Sequence, residues 1–412
     1  MKKRIAMISY HTCPLASAEG KETGGMNVYV LELAKKLSQK GFLIDIFTRS
    51  QDKEQDHIVT MNKSLRVIHI KAGPETYFLP NTPENKRKFL DYIPEFAANI
   101  LAFAQKENIT YDLLDCHYYL SGLAGIAIKK QLSHLPMLMT FQTLALIKNL
   151  VARGELDQEE KERIEAEFIL KDAADRIIIP SKNDEKYVHY LYDVPSNKIV
   201  TIPPGIDTKL FRPIDKTAAK KHIGAVAAHR LIIFVGRVDP IKGLTGLLYA
   251  LKIMKQTYPE CKICLWIVGG DTSTASHLRS KELQKLDQLR HILNLDTSVK
   301  FIEQQPQREL PYYYNAAELV VMPSDYESFG LTALEAIACG APVIVSNVAG
   351  ISGMFSETHQ KLLTTANNPL LLAKQMSHLL KNPVQHRLLE NIAEMDWDNV
   401  ANKVISVYND LV

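Results

Sequence analysis

The sequence predicts an α/β protein of two doubly wound, Rossmann-like parallel-sheet domains facing a cleft. Three observations carry this expectation. Short apolar runs alternate with amphipathic ones along most of the 412 residues, and strand–helix alternation on that scale means parallel sheets covered on both faces. The length suffices for two domains, each with a sizeable core. The stiff, turn-prone Pro203-Pro204-Gly205 separates the strands into two sets.

Taken in order, residues 4–9, 43–48, 65–70, 113–116, 137–140, 177–180 and 199–202 read as the strands of the first half. Residues 231–235, 263–268, 299–302, 319–322 and 342–346 read as those of the second. Helices are expected between them, for instance over 29–40, 122–132 and 244–257. Ligands of such sheets bind at the C-terminal ends of the strands, so the loops there are where site residues are sought.

Composition narrows the function classes. Hydrophobic residues make up 46% and charged residues 23%, ordinary values for a soluble protein. A net charge of +3 is too small to argue for nucleic acid or for bulk attraction to an anionic membrane. Met1-Lys2-Lys3-Arg4 precedes an apolar stretch too short for a signal sequence, and no run approaches the roughly 18 apolar residues of a membrane span; a soluble, cytoplasmic protein is expected. Of the five cysteines, Cys261 and Cys264 have redox or metal spacing. They open a run that reads as a buried strand, and no second Cys or His pair completes a zinc site, so small core residues in a reducing compartment are expected.

The stretch Ser324 to Ala336 is the most informative. An apolar strand stops at Pro323, and an Ala- and Leu-rich run from Leu331 to Cys339 is stopped by Gly340, so Ser328-Phe329-Gly330 sits at a helix N-terminus, which favours a phosphate. Glu327 lies before that anion site, and Glu335 lies roughly 7–8 Å of helical rise beyond Gly330. Two acids flanking a phosphate cradle fit a sugar–diphosphate–nucleoside, one at each sugar-like end; the bland alternative is a dipole partner and a solvated face. Gly236-Arg237 with Lys242-Gly243 follows the strand 231–235. An arginine fork and a lysine point charge there suit a diphosphate, or else form a basic surface turn. The P-loop order is absent. Gly24-Gly25-Met26-Asn27 lies after the first strand, where paired glycines permit close backbone approach to a ligand. His117-Tyr118-Tyr119 follows the strand ending at Cys116, so His117 is a ligand, a proton shuttle or a satisfied loop histidine. Arg163 and Glu167 stand at i, i+4, by default a surface ion pair.

Together these motifs resemble the retaining glycosyltransferases of family 4 (group 1), which have the GT-B fold, and most nearly the branch of sucrose-phosphate synthases and D-inositol-3-phosphate glycosyltransferases. The residues that carry the resemblance are Gly24 to Val30, His117 to Gly122, Ile202 to Asp207, Gly236-Arg237 with Lys242-Gly243, and Glu327-Ser328-Phe329-Gly330-Leu331 with Glu335, the family's E-x₇-E signature. The resemblance implies an N-terminal acceptor-binding domain over residues 1–203 and a C-terminal nucleotide-sugar domain over 204–390. Residues 391–412 would form a helix crossing back to the first domain. It implies that Arg237 and Lys242 hold the donor diphosphate and offset charge on the leaving nucleotide, with Glu335 accepting from the ribose hydroxyls. Glu327, with the backbone N–H groups of Phe329, Gly330 and Leu331, would orient the donor sugar, and Gly24 and Gly25 would approach the diphosphate. Tyr118, Thr143 and Arg163 match positions that hold an acceptor phosphate, and Asn27 and His117 join them on the acceptor side.

Three departures stand out. Thr140-Phe141-Gln142-Thr143-Leu144 has Gln142 where the family has a histidine facing the donor sugar; glutamine still hydrogen-bonds but carries no proton or charge. The acceptor-phosphate lysine expected near Asn81 is absent, although Lys86, Arg87 and Lys88 follow. Val348-Ala349-Gly350-Ile351 replaces a Val-Gly-Gly-Leu segment.

The implied activity is retaining transfer of a hexosyl group to a small acceptor, with a phosphorylated sugar or polyol hinted by Tyr118, Thr143 and Arg163. The donor would be a nucleotide sugar, UDP-linked (a UDP-hexose such as UDP-glucose) by family habit, used as co-substrate with no metal or other cofactor. No nucleic-acid partner and at most peripheral membrane contact are expected. Two alternatives stay open: a nucleotide-sugar-binding protein with lost or altered transfer, motivated by Gln142, and a lipid or polysaccharide acceptor, motivated by the basic run Asn85 to Leu90, which otherwise reads as a solvated helix face.

Overall fold

The computed structural model describes residues 2–16, 24–77, 83–152, 158–257, 262–270, 280–327, 330–348, 363–382 and 392–412. The chain divides into two compact units, Met1–Gly205 with Trp397–Val412, and Ile206–Asp396.

The first unit is built on β1 (Arg4–Ile8), β2 (Leu43–Arg49), β3 (Ile58–Asn62), β4 (Leu65–Ile70), β5 (Leu113–His117), β6 (Met137–Thr140), β7 (Arg176–Ile179) and β8 (Ile199–Thr201). Their order in the sheet is β3-β4-β2-β1-β5-β6-β7-β8. Only β3 and β4 pair antiparallel; the other neighbours are parallel. The parallel strands are continuous apolar runs because helices cover both faces. Their cores are accordingly buried, as along Ile5 to Ile8 and Ile44 to Phe47. Strand β3 lacks this signature: its residues are mostly exposed, so the apolar-run criterion passes over it.

The second unit contains β9 (Arg230–Val235), β10 (Ile263–Val268), β11 (Val299–Ile302), β12 (Leu319–Met322), β13 (Val343–Ser346) and the two-residue β14 (Leu363–Thr364). They pair in parallel in the order β11-β10-β9-β12-β13-β14. Their apolar side chains join those of the helices Leu244–Thr257, Leu331–Ala338 and Pro369–Lys381 in one core.

Each sheet has a point where the winding reverses. In the first unit β1 pairs with both β2 and β5; in the second β9 pairs with both β10 and β12. The crevice beyond the C-terminal ends of such strands is where doubly wound sheets bind ligands. That directs attention to the segments after β1, β5, β9 and β12.

The C-terminal helix Trp397–Leu411 belongs to the first unit. Its buried face, Trp397, Val400, Ala401, Val404, Val407 and Tyr408, has the spacing of a helical stripe and shares a core with Leu33, Ala34 and Leu37 of the helix Gly25–Gln39. Lys36 Nζ meets Asp398 Oδ2 at 2.6 Å. Gly205 lies so close to Trp397 that an added Cβ would stand 2.5 Å from the indole.

Some local bounds differ from expectation. The first helix begins at Gly25 instead of near residue 29, because Asn27 caps it through the backbone N–H of Gly24. The helix expected over 122–132 begins at Tyr119. Cys13, Cys116 and Cys339 are buried free thiols and Cys264 is half-buried; Cys261 lies outside the described residues. Among the described residues no helix is long and apolar enough to cross a membrane.

Candidate functional site

In the second unit, Arg237 and Lys242 follow β9, the strand at the switch point. Asp239 accepts from the Ile241 N–H at 3.1 Å and starts the short turn Pro240–Lys242. Gly243 ends it at φ +68°, and its Cβ, if present, would lie 2.0 Å from the Pro323 carbonyl oxygen; only glycine fits both the angle and the space. The Asp325 N–H donates to the Ile241 carbonyl at 2.8 Å. The turn after β9 is thereby clasped to the segment after β12, and Lys242 Nζ meets Glu327 Oε2 at 2.6 Å, both side chains about one-fifth exposed. Two residues 85 apart in sequence are thereby joined. Arg237 is exposed on the same turn.

Beyond Glu327, Gly330 is the N-cap of the helix Leu331–Ala338, at φ +73° and ψ +52°. Glu335 lies in its second turn and is 8% exposed. Tyr314 Oη donates to Glu335 Oε2 at 2.7 Å, and the Gln307 side chain also hydrogen-bonds the carboxyl. Burial outweighs these donors and pushes the carboxyl up to about 7. Such a group does not behave as a solvated helix-face glutamate. It is a buried carboxyl that accepts from neutral donors.

In the first unit the expected acceptor residues gather after β5 and β6. Arg163, on the helix Lys161–Ala173, is 3% exposed. Its Nε meets Glu167 Oε1 at 2.9 Å and its Nη1 meets Glu159 Oε1 at 2.9 Å. Nη2 donates to both the carbonyl and the hydroxyl of Thr143 at 3.0 Å. The surface pair expected of Arg163 and Glu167 is instead a buried network, since Glu167 is 0% exposed. Glu167 Oε2 also accepts from Tyr192 Oη at 2.5 Å and from the Ala145 N–H at 2.9 Å. The flanking carboxylates hold the Arg163 guanidinium charged despite burial. Its Cζ lies over the rings of Tyr118 and Tyr119, 5.0 and 5.2 Å from their centroids.

Tyr118 has φ +75° and ψ +156°, a region nearly reserved for glycine and costing a bulky residue about 1–3 kcal/mol. Its ring is also 4.8 Å from that of His11. His11 is a residue that the sequence reading missed. Its Nδ1 is buried with no hydrogen-bond partner among the described residues, and burial, with the Arg163 charge second, lowers its pKa to about 4. The signal was available: His11 follows β1 at a strand C-terminal end, the positional rule already applied to His117.

His117 requires a correction of placement. It is the last residue of β5, paired with Thr140, not a loop residue. Alternation along the strand puts it on the same face as Asp115; Nε2 lies 3.4 Å from Asp115 Oδ2 and the ring 5.6 Å from that of Tyr29. It is 0% exposed, a core histidine beneath the helix Gly25–Gln39. Asn27 is also buried, and its amide donates to Thr12 Oγ1 and the Cys13 carbonyl, each at 2.7 Å, while its Oδ1 accepts from the Gly24 N–H at 3.0 Å. It ties the segment after β1 to the start of the helix. Gly24 is extended, with open space where a Cβ would stand. Gln142 is half-buried on the loop after β6. Ser328, Phe329, Asn81, Ala349 to Ile351 and the side chain of Lys86 lie outside the described residues.

Comparison with known proteins matches these two halves separately. The description Glycosyltransferase Family 4 fits residues 23–210 and Glycosyl transferases group 1 fits residues 215–395. The D-inositol 3-phosphate glycosyltransferase of Corynebacterium urealyticum is 32% identical over 417 aligned residues, 99% of this chain and 96% of that relative. The chain belongs to the family 4, group 1 glycosyltransferases. Among solved members of this glycosyltransferase fold, the sucrose-phosphate synthase of Thermosynechococcus elongatus superposes with a TM-score of 0.87 at 29% identity, covering 100% of this chain and 99% of that one. HepE of Anabaena, solved with UDP and glucose, gives 0.73 at 16% identity over 99% and 100% of the two chains, which shows the shared GT-B fold.

Proposed function

We propose that this glycosyltransferase is a retaining, metal-independent hexosyltransferase that uses a UDP-linked sugar and a small phosphorylated sugar or polyol acceptor. The observation that carries the donor half is the Lys242–Glu327 pair at 2.6 Å in front of the helix bearing buried Glu335. Lys242 and Arg237 take the diphosphate as point charge and fork. In the resting chain Glu327 occupies the lysine; a bound diphosphate takes its place and frees Glu327 to accept from the donor sugar hydroxyls. Glu335 accepts from the ribose. As the glycosyl–oxygen bond breaks, negative charge grows on the departing diphosphate. Positive groups already in place stabilise that charge without reorganising, and loss of one such donor commonly costs on the order of 10²–10³ in rate.

The acceptor half of the reading rests on Arg163, Tyr118 and Thr143, whose contacts hold the two loops after β5 and β6 together. Names of the similar proteins support a phosphorylated acceptor: inositol phosphate is named in the sequence relatives, and the solved structure at 29% identity is named for a phosphorylated product, sucrose phosphate. Arg163 would present its remaining N–H to an acceptor phosphate. His11 stays neutral at physiological pH and would offer Nδ1 to an acceptor hydroxyl. Asn27 acts one step back, holding the Gly24-Gly25 turn in place.

The test is nucleotide release from UDP-, ADP- and GDP-sugars, each with and without inositol phosphates and hexose phosphates, with the product's anomeric configuration read by NMR. Acceptor-dependent release from UDP-sugar with retained configuration is expected. Nucleotide binding without release under any of these pairings would overturn the small-acceptor part; if lipid and polysaccharide acceptors added to the same assay also give no release, the transfer reading is overturned.

A further inference from the structure

Glu335 receives its hydrogen bonds from neutral side chains on separate elements. Tyr314 reaches it from the helix Leu310–Ala316 and Gln307 from the turn Gln307–Glu309. Tyr314 is 0% exposed. Its hydroxyl donates to Glu335 Oε2 at 2.7 Å, with the Thr332 side chain as a further hydrogen-bond partner. A carboxylate offers about four acceptor sites. Among the described residues Tyr314 and Gln307 fill two, which leaves two to match the two O–H donors of a vicinal diol.

We propose that Tyr314 is a positioning residue of the nucleotide site, whose hydroxyl fixes the Glu335 carboxylate so that its open lone pairs receive the ribose 2′- and 3′-hydroxyls. The inference rests on the reading of Glu335 as the ribose acceptor. The titratable groups facing Glu335 are Tyr314 from the neighbouring helix and Cys339 from its own, with Gln307 and Thr332 completing the polar set. Burial drives the Tyr314 hydroxyl and the Cys339 thiol upward, the thiol to about 12, so both stay neutral while Glu335 titrates. Removing the tyrosine hydroxyl leaves a ring of the same shape and takes away a donor that favours the charged carboxylate. The carboxyl then ionises at higher pH and its orientation loosens.

The experiment is calorimetric titration of the full chain between pH 6 and 8.5. The probes are UDP, ADP and GDP, followed by the 2′-deoxy form of whichever binds tightest. Wild-type affinity is expected to rise with pH through about 7 as Glu335 ionises, and the ribonucleotide to bind better than its deoxy form. In Tyr314→Phe the affinity at pH 7 is expected to fall about tenfold, the loss of one hydrogen bond to a charged group. Its pH midpoint should move up and the ribo-over-deoxy preference should shrink. Tyr314→Phe combined with Glu335→Gln should bind no more weakly than Glu335→Gln alone. If Glu335→Gln weakens binding while Tyr314→Phe changes neither the midpoint nor the ribo-over-deoxy ratio, the proposal is overturned and the reading of Glu335 stands. Unchanged binding in Glu335→Gln, or no binding of any of the three by the wild type, overturns that reading and the proposal with it. Gln307→Ala, on a partly exposed turn, has the same expected directions and serves if Tyr314→Phe does not fold.

Discussion

Replacing Arg163 with alanine separates what the acceptor-side network does for folding from what it does for binding. The side chain is 3% exposed and makes four polar contacts at 2.9–3.0 Å, to Glu159, Glu167 and twice to Thr143. Removing one partner of a buried ion pair costs about 3–5 kcal/mol, mostly because the other charge is stranded. Glu167 keeps the Tyr192 hydroxyl and the Ala145 N–H, which places the expected loss near the lower end, about 3 kcal/mol. At about 2–4 °C per kcal/mol for a domain of this size, the first unit should melt roughly 6–12 °C lower. Arg163→Ala with Glu167→Gln removes the stranded charge and should recover at least about 1 kcal/mol of that loss. Thermal unfolding by circular dichroism reads both. Steady-state kinetics should show a KM for the acceptor raised more than about tenfold, with donor nucleotide affinity unchanged, since no donor group is touched. Melting within about 2 °C of wild type, or a double variant no more stable than the single, would refute the view that the buried charges hold this region together.

Three further outcomes are expected. Lys242→Ala should lower turnover on the order of 10²–10³ with acceptor KM unchanged; a change confined to acceptor affinity in steady-state kinetics would place Lys242 in the wrong half. Glu335 ionises near 7 in the folded chain against 4.5 in an unfolded one, so the folded state holds the extra proton between those values. Its contribution, up to about 3 kcal/mol, is present below pH 4.5 and lost as pH rises through 7. Glu335→Gln should therefore show a smaller fall in Tm than wild type from pH 5 to 8, and parallel curves would contradict the buried carboxyl. For His11 the sign is opposite: its folded pKa is depressed to about 4, so its contribution is present above 6.5 and lost as pH falls through 4. His11→Asn should unfold less steeply between pH 6.5 and 4, as followed by circular dichroism; an unaltered acid limb would refute the neutral, buried imidazole.

Much of the donor half was legible because its parts are local. Glu327, Gly330 and Glu335 lie within nine positions across one strand-to-helix junction, and Arg237 and Lys242 lie on one turn after β9. Their placement follows from strand ends, glycine turns and helix starts, which short-range backbone preferences decide. The acceptor half was less legible. Arg163 looked like a surface pair because its i, i+4 spacing to Glu167 is the same whether the helix face is wet or dry. What buries it comes from Thr143, Glu159, Tyr118 and Tyr192, none of which the spacing reveals. Strand β3 was missed because an exposed edge strand needs no apolar run, and the first helix began earlier than expected because Asn27 caps it through a side chain.

By itself the sequence determined the two parallel-sheet units, the family and its E-x₇-E motif, because continuous apolar strands, amphipathic helices and glycine turns are properties of neighbouring residues. Only the tertiary structure decided that Lys242 rests on Glu327, that Tyr314 holds Glu335, and that His117 belongs to the core while His11 lies against Tyr118. Each of those depends on burial and hydrogen bonding between side chains far apart along the chain. Desolvation is felt only where the packed fold excludes water, and no local pattern records which distant groups will share that space.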